Sequence, residues 1–190
     1  LLLLGITSVA GMPYVVLMPV FADEILHGGS TGLGILMALS GIGALAGALF
    51  LAARPGLHGL GKRIAASSLG FGSTLILFGL SRLFWLSGLF LVGVGFFMLS
   101  QMASSNSLVQ GMAPDHLRGR IMAVYSMMFL GMAPFGALLA GFLAQRIGAP
   151  LTVMIGGACC VVAGAIFGSR LASMRAEVRR LIIDTTLETP

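Results

Sequence analysis

Apolar residues fill this chain in six long blocks, and charge appears only in short clusters between them. No ionisable group occurs from Leu1 to Ala22. Charge then arrives as Asp23 and Glu24, as Arg54 with Lys62 and Arg63, and as the lone Arg82. It returns as Asp115 with Arg118 and Arg120, as the lone Arg146, and as a tail that starts at Arg170. A bilayer-crossing helix needs roughly 20 apolar residues, and the blocks supply them. The pattern predicts helices over Leu2–Ala22, Thr31–Ala53, Lys62–Ser81, Phe84–Met112, Leu117–Gln145 and Ala149–Leu171. The alternation of barrel strands is missing, so the backbone must satisfy itself as helix. The expected fold is an all-α membrane protein with six transmembrane helices in residues 1–171.

Composition supports the same class. Charged residues make up 9% of the chain, against about 25% in a typical soluble domain. Hydrophobic residues reach 57% and the mean hydropathy is +1.03. A soluble domain of 190 residues needs a polar exterior that this chain does not supply.

Charge also sets an expected orientation. Arg54, Lys62, Arg63, Arg118, Arg120, Arg170, Arg175, Arg179 and Arg180 fall on one side of the six spans. The other side receives Arg82 and Arg146, together with Asp23 and Glu24. Nine basic residues against two place both ends of the fragment in the cytoplasm. The bases are dispersed over loops and tail, so a nucleic-acid partner is not expected. The chain opens on four leucines without a basic leader, which implies that something precedes Leu1.

Small residues recur at four-residue spacing: Gly43 and Gly47 in span two, Ala133, Ala137 and Gly141 in span five, and Gly156, Cys160, Gly164 and Gly168 in span six. Such faces let helices approach closely. Pro13, Pro19 and Pro134 each remove a backbone donor and are expected to kink their helices. Beyond span six, Leu171, Met174, Val178, Leu181 and Ile182 recur at helical spacing with arginines between them. Residues 172–190 therefore read as a cytoplasmic amphipathic tail with a disordered end.

Signatures of catalysis are missing, and no enzyme, metal or cofactor is expected. His27, His58 and His116 sit in loops without the paired spacing of a metal site. No span carries a carboxylate, and no span serine has a base on a neighbouring helix. The adjacent Cys159 and Cys160 read as packing residues of the last span.

Span four is different. Gln101, Ser104, Ser105, Asn106, Ser107 and Gln110 crowd one half of it. Asn106 and Gln110 share a helical face, as do Gln101 and Ser105. Amides within lipid need partners, so these residues either join helices or line a cavity that touches substrate. The cavity candidates are Gln101, Ser105 and Asn106, with Tyr14 of span one across from them. Asp115 is placed to cap the helix that follows it.

The segment Pro114-Asp115-His116-Leu117-Arg118-Gly119-Arg120, followed by Met122–Ser126, Gly131-Met-Ala-Pro134-Phe-Gly136 and Gly141, resembles the eleventh-helix region of the major facilitator superfamily. Gln110, Gly148-Ala149-Pro150 and Met18-Pro19-Val-Phe-Ala22 fit the same resemblance, which is nearest to the enterobactin-exporter-like efflux permeases. The resemblance implies half of a twelve-helix transporter, its six spans being the family's seventh to twelfth. It implies a missing N-terminal six-helix half, the bilayer and a small-molecule substrate as partners, in a bacterial cytoplasmic membrane. It makes Asp115, Arg118, Gly119 and Arg120 a cytoplasmic loop motif, and Pro134, Gly136 and Gly141 hinge or packing positions. The family's other basic loop has its counterpart in Gly61-Lys62-Arg63, but Ala53 stands where an acidic residue usually precedes the arginine, here Arg54. The rival reading is a six-helix scaffold or assembly protein that transports nothing.

Overall fold

The computed structural model describes residues 2–53, 59–114 and 116–187, with side chains to Leu171 in the last helix. Six helices are long and apolar enough to cross a membrane: α1 (Leu2–Ile25), α2 (Gly29–Ala52), α3 (Leu60–Leu80), α4 (Phe84–Met112), α5 (Arg118–Ile147) and α6, whose span is Ala149–Leu171. All regular structure among the described residues is helical. The sixth helix runs unbroken from Ala149 to Leu187. The amphipathic face and the chain end expected of residues 172–190 fall on side chains and residues outside the described set, as do Arg54, His58 and Asp115.

Two spans are interrupted where proline falls. In α1 a regular turn at Leu2–Ile6 passes into a π turn at Thr7–Gly11, and Met12 and Pro13 break the helix before Tyr14–Val20. Pro19 lies inside that last piece, and a second π turn follows at Phe21–Ile25. Proline offers no N–H to the carbonyl four residues back, so the ladder shifts its register around it. In α5, Gly131 and Met132 separate Arg118–Leu130 from Ala133–Ile147, with Pro134 in the first turn of the second piece. The second π turn carries α1 past its expected end at Ala22. Asp23 and Glu24 therefore ride on a helical turn, exposed, while Phe21, Ala22 and Leu26 stay buried.

The helices alternate in direction. Leu3, Ile64 and Ala163 form one cluster with Leu108 and Phe167, which brings the starts of α1 and α3 beside the ends of α4 and α6. At the opposite end Phe84 packs beside Gly28 and Gly32. The most extensive interfaces join α2 to α4 and α3 to both α4 and α6, while α1 leans on α5 and α6. The main core lies around Phe21, Leu36, Phe71, Phe78, Leu91 and Val94, with the rings of Phe21 and Phe78 stacked 4.4 Å apart.

Close crossings rest on glycine. A β-carbon at Gly43 would run into the Val92 carbonyl, and one at Gly95 into the Ser40 carbonyl. One turn along, a β-carbon at Gly47 would stand 2.5 Å from Phe96 O. Between α3 and α6, Gly72 and Gly157 press on each other's carbonyls. In α6, Gly156 faces the Ala10 carbonyl and Gly164 faces Ser68, so the four-residue stripe is a packing face. The spans bury their surfaces unequally: only 17% of α2 and of α5 lies inside the bundle, against 39–56% for the others.

Gly43→Val and Gly95→Val are each expected to destabilise the bundle by about 3 kcal/mol, at the upper end of over-packing costs, because the obstacle is backbone. Gly34→Ala and Gly141→Ala enter open space and are expected to shift the thermal midpoint in detergent little. Equal shifts for the two pairs would contradict the α2–α4 crossing.

Candidate functional site in the fourth span

The polar half of α4 divides into two faces. With 29 residues, α4 is about 43 Å long, more than the roughly 30 Å of hydrocarbon. Centred in the bilayer, its middle 20 or so residues are in lipid, so Gln101, Ser104 and Ser105 lie well inside and Asn106 near the boundary. Helical periodicity then puts 101, 104 and 105 on one side and 106, 107 and 110 on another.

The first face points into the bundle. Gln101 is 2% exposed, and its Nε2 donates to Thr7 Oγ1 at 2.9 Å. Thr7 in turn donates to the Leu3 carbonyl at 2.9 Å. Thr7, on the first π turn, thus ties α4 to α1. Gln101 Oε1 is buried and has no hydrogen-bond partner among the described residues, and neither does Ser100 Oγ, which faces Gly47. Ser104 and Ser105 are also buried. Around this node Ser8 donates to the Phe129 carbonyl, Ser68 to the Cys160 carbonyl, and Tyr125 to the Met102 carbonyl. Each bond joins two different spans.

The second face is open. Asn106 accepts from Gln110 Nε2 within the helix, and Asn106 and Ser107 line a groove with Leu99, Met102 and Ala103. The groove encloses about 330 Å³. Ser107 and Gln110 are exposed and Asn106 is half-buried. Tyr14 belongs to neither face. Its hydroxyl lies 3.3 Å from Ser40 Oγ, and its ring meets Phe71 edge-on. Tyr14 also borders a smaller apolar cleft of about 110 Å³ between α1, α5 and α6. The four cavity candidates are therefore spread over three places: Gln101 and Ser105 inside, Asn106 on the open face, and Tyr14 against α2.

The loop motif and the hinge positions are also distributed. Arg118 opens α5, and Arg118, Gly119 and Arg120 are exposed. Pro134 is exposed at the helix break. Gly136 is buried, where a β-carbon would stand 2.5 Å from the Val9 carbonyl of the π turn. Gly141 is half-buried with open space about it. No group of three or more His, Cys, Asp or Glu among the described residues is arranged to hold a metal ion.

Sequence reasoning did not single out Ser40 or Tyr125. The available signal was the cost of an unpaired hydroxyl in lipid, which obliges a span tyrosine or threonine to find a partner. Which partner it finds depends on helix rotation, and the π turn sets that rotation locally.

Thr7→Val leaves both ends of the Gln101 amide unpaired and is expected to cost about 1–3 kcal/mol. Gln101→Leu removes the orphaned oxygen along with the bond and is expected to be nearly neutral or stabilising. Thermal midpoints of the purified variants check this; a benign Thr7→Val would mean the bond is not formed.

A family model described as transmembrane secretion effector matches residues 2–185. No match was found among curated proteins or among solved structures.

Proposed function

This chain belongs to the transmembrane secretion effector family of the major facilitator superfamily, and from that premise we propose that it exports a small molecule by alternating access. It is a multi-pass membrane protein of transporter type. In the proposed mechanism these six spans are one half of a twelve-helix carrier, and a preceding six-helix half faces them across a central cavity. Rocking of the two halves exposes the cavity first to one side of the membrane and then to the other. The chain performs no covalent chemistry.

The observation that carries this reading is the open polar face of α4. Ser107 and Gln110 are exposed and Asn106 is half-buried, near the end of the hydrocarbon, where an amide requires water or a polar partner. A wet cavity supplies it. Gln101 and Ser105 lie behind that face and come into play where α1 moves away from α4, since the hydrogen bond that Gln101 donates to Thr7 is the side-chain bond tying it to α1. A six-helix scaffold would have to cover the same polar face with a protein partner.

Arg118 and Arg120, at the start of α5, stand on the side with nine basic residues. In the proposed topology that side is the cytoplasm of a bacterial cell, and the arginines support a cytoplasmic-side conformation through neighbouring helix ends. The carboxylates in the spans are Asp23 and Glu24, exposed on the end turn of α1, and none lies deeper in the bilayer-crossing part. A titrating acid for proton coupling therefore belongs to the preceding half.

Two measurements test the reading. In cells carrying the complete gene and challenged with a compound panel, Asn106→Ala and Gln101→Ala are each expected to lower efflux about two- to tenfold, the equivalent of one hydrogen bond of roughly 0.5–1.5 kcal/mol. Unchanged efflux at equal expression removes these residues from the pathway. For topology, single cysteines replacing Asp23 or Gly119 are introduced into a Cys159→Ala/Cys160→Ala background. An impermeant maleimide is expected to label position 23 in intact cells and position 119 only after lysis. The reverse pattern overturns the orientation.

A further inference from the structure

We infer that the basic ends of α3 and α6 form one docking surface for the head groups of anionic phospholipids. The two helix ends meet. Gly61 at the start of α3 packs on Leu171, so closely that an added β-carbon would stand 2.7 Å from the leucine Cδ2. Lys62 and Arg170 are the chain neighbours of these two contact residues, and both are exposed; Arg63 is half-buried beside them.

The charge of the two sequence segments that end there, counted from the sequence, does not depend on how any single side chain is paired. Segments 54–63 and 170–187 contain seven basic residues, Arg54, Lys62, Arg63, Arg170, Arg175, Arg179 and Arg180, and two acidic ones, Glu177 and Asp184. With both acids fully neutralised by arginine, five positive charges are left over. The opposite side of the six spans offers no such excess, since Arg82 and Arg146 are balanced in number by Asp23 and Glu24.

Position selects lipid over other anions. Leu60 and Leu171 mark the limits of two membrane spans, so the charges close to them stand level with phospholipid phosphates. Lysine and arginine lay their apolar stems along the helix and reach the head-group layer with their charged ends. Basic recesses between spans suit anionic head groups for this reason, and the attraction is confined to within a Debye length of the surface. A folded acidic partner would have to displace lipid to reach the same atoms.

The test uses the full-length protein in detergent micelles doped with phosphatidylglycerol or with phosphatidylcholine. Retained lipid is read by native mass spectrometry and stability by thermal midpoint. Phosphatidylglycerol is expected to be retained in preference and to raise the midpoint, with both effects falling as salt rises. Lys62→Gln/Arg63→Gln/Arg170→Gln is expected to reduce that retention severalfold, while Arg82→Gln/Arg146→Gln leaves it unchanged. Equal retention of the two lipids by the unmodified protein overturns the inference without any variant. So does retention that the triple variant leaves intact. Inorganic phosphate or a soluble acidic peptide that reproduces the midpoint shift without phosphatidylglycerol assigns the surface to a soluble ligand and overturns it as well.

Discussion

Lipid tails offer neither hydrogen bonds nor a hydrophobic drive for one helix to seek another, and the rest of this structure follows from those two facts. Without water, each span must close its own backbone ladder. Without the hydrophobic effect, the spans adhere through dispersion at very short range and through bonds between polar side chains. Dispersion at that range requires backbone to touch backbone, which is why Gly43 and Gly95 lie where α2 crosses α4 and Gly72 meets Gly157 where α3 crosses α6. The prolines of α1 and α5 violate the first requirement. There the chain shifts to π turns or breaks, and glycines of neighbouring spans, Gly136 and Gly156, approach the Val9 and Ala10 carbonyls of the first π turn.

The same solvent explains the choice of polar residues. Ser8, Ser68 and Tyr125 each donate to a carbonyl of another span, so each adds a directional bond to the dispersion contacts between helices. Thr7 joins α1 to α4. Among the described residues, the large buried side chain left partly unsatisfied is Gln101, whose Oε1 has no partner there. An unmade bond of that kind costs about 1–3 kcal/mol. The α1–α4 contact is thus held by less than its chemistry allows. It also adjoins the segment of α1 whose helical ladder is irregular.

Much of this was legible in the sequence, and the reasons are physical. Charge cannot stay in lipid, so Arg54, Arg82, Arg118 and Arg146 bracket the spans to within a few residues, and the limits of α4 and of the sixth span match those expected. The stripe Gly156, Cys160, Gly164 and Gly168 names a packing face because only small residues permit one. The extension of α1 through Asp23 and Glu24 was not legible. Charge marks where lipid ends, and a helix is free to continue into water. Nor was the split of the α4 polar band into a buried and an open face. Spacing separates residues 101 and 105 from 106 and 110, but which face turns inward depends on how α4 seats against α1, α2 and α3 together. The separation of Tyr14 from the amides has the same origin, because the π turn rotates everything that follows it in α1.

The unequal burial of the spans carries the synthesis one step further. Along α2, exposed Ile42, Leu45 and Leu49 are apolar, as are Leu138 and Phe142 of α5, and lipid covers such faces without cost. The open face of α4 is different, because Asn106, Ser107 and Gln110 demand water or protein. In the proposed carrier a second half covers that face and leaves a wet space between the halves. Asp23 and Glu24 sit exposed on the end turn of α1, so what α4 would give to that space is neutral hydrogen-bonding groups, Asn106, Ser107 and Gln110.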